Sequence, residues 1–311
     1  MLLCLVVPAH AASSWLGSVF GAEFGAPEPA PAVETAAGGE LANFRNDHRL
    51  DGYVLPPECI HIALDVGVNN GADSLALLKH GLCVIGVEAN PKIAAKALDK
   101  LSNSKLNISS SRYKLYNMGV AEIAGTLPFY SYANNNRNLV ENTVSVPTQT
   151  CNYFWRSVPT GVRPTYLKVD VEEYHYVCIE ALARLPAASL PSYVSWEMHE
   201  IARGLPYPVL DAHLIALMRT LGYEQIKLVS NACNGRRRRG GADRRGDFSG
   251  GQLPEDVVDA PTNSTRWRPV QEVLSAGLGW PRRGGLCGAK DWLDFHMKLK
   301  TQDAWPPERL G

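Results

Sequence analysis

The 311-residue chain has no surplus of charge of either sign: 31 Lys and Arg face 31 Asp and Glu, a formal net charge of +0. A dedicated nucleic-acid binder needs a basic excess to neutralise phosphates, so no nucleic-acid partner is expected. No apolar run approaches the roughly 20 residues needed to cross a bilayer, and no stable membrane span is expected. There is no C-x-x-C pair among the seven cysteines (Cys4, Cys59, Cys83, Cys151, Cys178, Cys233 and Cys287). Their number is odd, so neither a zinc site nor a disulfide framework is indicated. Cys83 and Cys178 lie in apolar runs and read as small buried hydrophobes. Internal repeats are absent, as is any Ser-His-Asp or Cys-His arrangement for a covalent intermediate. What remains is ordinary for a globular protein, with 20% charged and 45% hydrophobic residues.

The informative stretch is 60–91, IHIALDVGVNNGADSLALLKHGLCVIGVEANP. A short apolar run ends at Val66 in a turn built from Asp65, Gly67, Asn69, Asn70 and Gly71. Leu75, Leu77 and Leu78 with a stop at Gly81 predict a helix of about ten residues. A second apolar run, 82–87, closes on Glu88, Asn90 and Pro91. Strand, glycine turn, helix, strand, acid is the layout of a parallel βαβ unit that holds a nucleoside. Gly67 and Gly71 suit close backbone approach, and Asn69 or Asn70 tolerates a left-handed conformation. Glu88 stands where a carboxylate accepts from both ribose hydroxyls. The turn lacks the second glycine of G-x-G-x-x-G, which disfavours a nicotinamide or nucleotide-sugar oxidoreductase as the rival reading.

D-x-G-x-N-x-G followed by V-E-A-N-P resembles the S-adenosylmethionine site of a class I methyltransferase, specifically the FkbM family. Further matching segments, in order, are Asn117-Met-Gly-Val-Ala121, Tyr166-Leu-Lys-Val-Asp-Val-Glu172, Ser195-Trp-Glu197 and Asp291-Trp-Leu-Asp-Phe-His296. Together they cover about residues 58–298. The resemblance implies S-adenosyl-L-methionine as cofactor, with Asp65, Gly67, Asn69, Asn70, Gly71, Glu88, Asn90, Asn117, Gly119 and Asp170 as cofactor-binding candidates. Asn117 and Gly119 belong to the segment that the family places by the adenine. It further implies methyl transfer to an oxygen of a small molecule or glycan. A hydroxyl acceptor needs a base, and Asp170 and His199 are the catalytic candidates. Glu173 stands where the family pattern D-x-E-G has glycine, which leaves a silent, non-catalytic member of the fold as a further alternative. A divalent ion held by Asp170, Glu197 and His199 is not required by their spacing, and no metal is assigned.

The rest of the chain places these residues. Residues 1–45 read as an extension: 1–11 carry a brief apolar run and Ala9-His10-Ala11, as in a targeting segment, and 12–45 are rich in Ala, Gly, Pro and Glu. Localisation is therefore open between the cytoplasm and, if that segment is a signal, the secretory pathway or an organelle. Asn107-Ile-Ser109 and Asn263-Ser-Thr265 are glycosylation sequons in the second case. Residues 46–311 are expected to form one domain. Asn90 caps a helix with Pro91 at its first position, 113–118 is a strand, and 127–132 with 143–150 form a hairpin. Residues 165–171 and 192–198 are strands, with a helical stripe at Cys178, Ala181, Leu182 and Leu185 between them. A helix over 210–221 and a strand over 224–229 follow, then a basic loop, 231–264, with Arg236–Arg239. A last strand over 291–299 is expected at the sheet edge. The expected architecture is α/β: a Rossmann-like class I methyltransferase domain with a mostly parallel seven-stranded sheet, helices on both faces and an antiparallel edge strand.

Overall fold

A computed structural model describes residues 54–104, 110–132, 140–171, 174–197, 201–202, 205–206, 209–230, 267–275 and 293–300. In chain order these form β1 (Ile62–Val66), α1 (Ala72–Lys79), β2 (Cys83–Val87), α2 (Pro91–Ser102), β3 (Tyr113–Tyr116), β4 (Gly119–Val120), β5 (Gly125–Tyr132), β6 (Val140–Gln149) and α3 (Cys151–Phe154). Then come β7 (Tyr166–Val169), α4 (His175–Ala181), β8 (Tyr193–Glu197), β9 (Ile201–Ala202), β10 (Leu205–Pro206), α5 (Val209–Thr220), β11 (Tyr223–Ser230), β12 (Arg268–Pro269), α6 (Val270–Ser275) and β13 (Leu293–Leu299).

The main sheet has the order β12-β11-β13-β8-β7-β1-β2-β3. The core of it, β8-β7-β1-β2-β3, is parallel throughout. Parallel strands buried on both faces read as continuous apolar runs, which is why β1, IALDV, and β2, CVIGV, show little alternation in sequence. Alternation does appear in what each residue touches. Leu64, Val66, Ile85, Val87, Leu167, Val169, Val194 and Trp196 pack with α3, α4, α5 and α6 on one face. Ala63, Val84, Tyr166 and Tyr193 pack with α1 and Leu101 of α2 on the other. Helices thus cover both faces, as the α/β reading requires.

Two expectations are corrected. The last strand is not at the edge: β13 lies between β8 and β11, antiparallel to both. The edge is the two-residue β12, an eighth strand absent from the sequence reading. Pairing on both sides satisfies the backbone N–H and C=O groups that an edge position would leave unpaired along one flank. The expected hairpin, β5 with β6, is present, but it joins β4 in a separate three-stranded sheet.

The cysteines are the second correction. Cys59 is bonded to Cys83 and Cys151 to Cys178, with Cα–Cα distances of 5.7 and 5.0 Å. Cys83 and Cys178 are buried, as expected, but as bridge partners. One bridge ties the lead-in of β1 to the start of β2, the other α3 to α4. With sequence separations of 24 and 27, loop-closure entropy makes each worth about 3–4 kcal/mol. The Cys151→Ser/Cys178→Ser double variant should lose that much stability in urea melts, and a reductant, which opens both bridges, should bring the parent protein down by about twice as much. Unchanged stability would show that the bridge does not form.

Beneath α5, Trp196 Nε1 donates to Asp211 Oδ1 at 3.1 Å, and His175 Nε2 stands 3.8 Å from the same oxygen. Burial pushes the Asp211 carboxyl up from 3.8 to about 6, against the lowering effect of the Trp196 hydrogen bond. The folded state then holds this proton more tightly than the unfolded chain. Its contribution to stability therefore falls as pH rises from about 4 to about 6. Asp211→Asn keeps the acceptor for Trp196 and should raise stability at pH 7.5 by about 1–2 kcal/mol while doing little at pH 4. Urea melts at the two pH values read the difference.

Candidate functional site

The turn after β1 is built by its own backbone demands. Gly67, at φ 89°, donates its N–H to Val87 O at 2.8 Å, and Val68 N–H reaches the same carbonyl at 3.1 Å. Asn69, at φ 51°, has the only positive φ outside glycine among the described residues, the conformation that Asn tolerates better than other side chains. Gly71, at φ 76°, precedes α1, and a Cβ there would lie 3.2 Å from Ala97 Cβ of α2. Asn70 Oδ1 accepts from Ala72 N at 3.0 Å, satisfying one of the free N–H groups at the start of α1. A Cβ on Gly67 would lie 1.8 Å from the carbonyl oxygen of Asp170. The chain itself therefore occupies that space: glycine lets the turn press directly onto the end of β7.

Glu88 joins two turns. Its Oε2 accepts from Asn69 N and its Oε1 from Asn90 N, both at 2.8 Å. Burial raises its carboxyl, opposed by those two N–H groups. Each oxygen keeps one lone-pair direction for a further donor. Asn90 Oδ1 caps α2, accepting from Lys92 N at 3.0 Å and Ile93 N at 3.3 Å, with Pro91 at the first helical position as the sequence predicts. Asn117 Nδ2 donates to Glu88 O at 2.8 Å and Ala89 O at 3.2 Å. Gly119 follows at the start of β4, where a Cβ would meet Thr148 Cγ2 at 3.2 Å and Ala89 Cβ at 3.8 Å.

At the neighbouring strand end, Asp170 N donates to Val66 O at 2.8 Å, and the side chain is 30% exposed. Glu197 ends β8 and pairs in register with Asp294 of β13, which the sequence reading did not single out. His199, Glu172 and Glu173 lie outside the described residues, as do 1–45 and the basic stretch 231–264.

Below the turn sits a group that sequence reasoning only glimpsed. Lys168, inside the matching segment 166–172, is buried in β7. Its Nζ lies 3.3 Å from Asp65 Oδ1, 3.1 Å from Asp73 Oδ2 and 3.3 Å from Asp170 Oδ2, and it donates to Gly67 O at 3.2 Å. Ser74 Oγ donates to Asp65 Oδ2 at 2.6 Å. Burial alone would lower the Lys168 ammonium, but Asp65, Asp170 and Asp73 hold it well above the ordinary lysine value. Burial pushes Asp65 above the usual carboxylate range, with Lys168 pulling the other way. Asp65 is thus wholly internal, a support of the turn.

The structure brings Asp65, Gly67, Asn69, Asn70, Gly71, Glu88, Asn90, Asn117, Gly119 and Asp170 to the carboxyl ends of β1, β2, β3 and β7. Open parallel sheets bind ligands at this end. Among the described residues, no group of three or more His, Cys, Asp or Glu side chains is disposed to hold a metal ion. No helix among them is long and apolar enough to cross a membrane.

Comparison with known proteins follows the same lines. No curated protein matches the chain. Among solved structures, an FkbM methyltransferase from Methylobacillus flagellatus KT matches at 16% identity and a TM-score of 0.38, over 53% of this chain and 39% of that one. A phosphoethanolamine N-methyltransferase from Haemonchus contortus, solved with S-adenosyl-L-methionine, matches at 12% identity and a TM-score of 0.35, over 78% of this chain and 49% of its own. The chain thus spans less than half the length of either. The profile of the methyltransferase FkbM domain matches residues 65–224, from the aspartate of the glycine turn to the start of β11. The chain belongs to the FkbM methyltransferase-domain family.

Proposed function

We propose that this protein is an S-adenosylmethionine-dependent methyltransferase that methylates a hydroxyl of a small molecule or glycan. The observation that carries the reading is Glu88: one carboxylate bound to Asn69 N and Asn90 N, at the end of the strand beside the glycine turn. A nucleoside laid across these strand ends meets the turn of Gly67–Gly71 with its methionine end and Glu88 with its ribose. Its base lies towards Ala89, Asn117 and Gly119. S-adenosylmethionine supplies a methyl on a sulfonium, so the leaving group is already good. The chain needs only to align the acceptor and take its proton. Asp170 and His199 are the candidates for that proton, His199 alone where Asp170 holds the methionine end of the cofactor.

The two disulfides favour folding in an oxidising compartment, the secretory side of the localisation left open by the sequence. Incubation with labelled S-adenosylmethionine and a library of sugars, glycans and small alcohols, read as S-adenosylhomocysteine release, tests the assignment. Turnover with a hydroxyl acceptor, lost in Glu88→Ala, is the expected result. Cofactor binding without turnover on any hydroxyl would leave a silent member of the family. Transfer confined to amines or carbon would replace the O-methyl assignment.

A further inference from the structure

The buried lysine has more than a packing role. Its four acceptors come from four different parts of the molecule: Asp65 from β1, Gly67 O from the turn, Asp73 from the first turn of α1 and Asp170 from the end of β7. An ammonium has three N–H groups, so it is shared among these acceptors and pulls them to one point. That point lies under the place where Gly67 and Asp170 touch. Glu88, by contrast, ties the far side of the same turn to β2 and α2 through Asn69 N and Asn90 N. The crevice therefore rests on two separate fastenings, one at each end.

We propose that Lys168 is a positioning residue for the amino-acid end of the cofactor: by holding the Gly67 carbonyl and the Asp170 carboxylate together, it presents Asp170 to the methionine ammonium, while Glu88 independently holds the nucleoside. This rests on the cofactor reading above. Asp170 suits the task because its carboxyl lies 3.3 Å from Lys168 Nζ and is yet partly open to solvent. Lys168 touches neither donor nor acceptor in this account. It acts through Asp170 and the turn.

The division can be read with two ligands that share the adenosyl group, one carrying the charged sulfonium and amino-acid portion and one a neutral thioether without it. Isothermal titration of the intact protein with S-adenosylmethionine and with methylthioadenosine, which lacks the amino-acid portion, separates the two fastenings. Lys168→Arg keeps the charge but moves the donors. It should weaken S-adenosylmethionine by about 10-fold or more, while methylthioadenosine changes by less than about threefold, since only the first reaches the displaced charge-assisted hydrogen bond. Asp170→Asn, at a half-buried position, should reproduce the split and stands in if Lys168→Arg does not fold. Equal losses for both ligands in both variants would make Lys168 a structural residue only and overturn the proposal, as would no loss for either. If the parent protein bound neither ligand, the cofactor reading itself would fail, and the positioning role with it. Binding by the parent without the split would remove the positioning role alone.

Discussion

Replacing Glu88 with alanine is expected to weaken S-adenosylmethionine by at least about 100-fold while the sheet remains folded. Two ribose hydroxyls donating to a carboxylate are worth roughly 1.5–3 kcal/mol each, and about 1.4 kcal/mol is a factor of ten. The side chain also has an internal duty. Without it, Asn69 N and Asn90 N lose their 2.8 Å acceptors. Asn69 is exposed, so water can replace one of these bonds, and the cost to stability should stay near 1–3 kcal/mol. Glu88→Gln keeps an acceptor at one oxygen and should fall between parent and alanine in both respects. The two effects are separable: urea melts report the turn, and titration reports the ligand. A folded Glu88→Ala protein with parental affinity would remove the ribose assignment.

Gly67→Ala should be more damaging still. The added methyl would lie 1.8 Å from Asp170 O, and the φ of 89° is itself costly for alanine. Neither neighbour can yield cheaply. Asp170 N is bonded to Val66 O at 2.8 Å, and Gly67 N and Val68 N are both bonded to Val87 O. The turn must therefore come off β7, carrying the Lys168 contact to Gly67 O with it. A loss of 4 kcal/mol or more is expected, in the range kept for clashes at special backbone positions, with no measurable cofactor binding in whatever folds. Denaturant melts followed by titration check both. Parental stability would mean that the close approach of the turn to β7 does not exist in solution.

The contrast between these two residues explains what was legible in the sequence. The turn could be read because its requirements are local: glycine where φ is positive, Asn69 in a left-handed conformation, Asn90 as a helix cap two residues after the acid. Close approach at Gly67 was legible for the same reason, but its partner was not. The partner that the structure supplies is the backbone of Asp170, about one hundred residues later. Lys168 was ambiguous for a related reason. In a strand buried on both faces, the run Tyr-Leu-Lys-Val gives no sign of which side the lysine takes, and its salt bridge to Asp65 spans 103 residues. Only the register Asp65↔Lys168 settles it.

Long-range pairing also hid β13 and the disulfides. A strand that inserts between β8 and β11 carries no mark of that insertion in its own residues, because its alternation is equally suited to an edge. Bridges closed over 24 and 27 residues have no spacing signature, and an odd cysteine count argued against them. In both cases the information lies in which segments meet, a property of the sheet order and not of any window of sequence.

The central claim is that the carboxyl ends of β1, β2, β3 and β7 hold an adenosyl group, and a crystal structure of the protein with S-adenosylhomocysteine tests it most directly. The account predicts the ribose hydroxyls within about 3 Å of the Glu88 carboxylate, the amino-acid end over Gly67 beside Asp170, and the base against Ala89, Asn117 and Gly119. A nucleoside bound elsewhere, or a crevice that remains closed at saturating ligand, would contradict it.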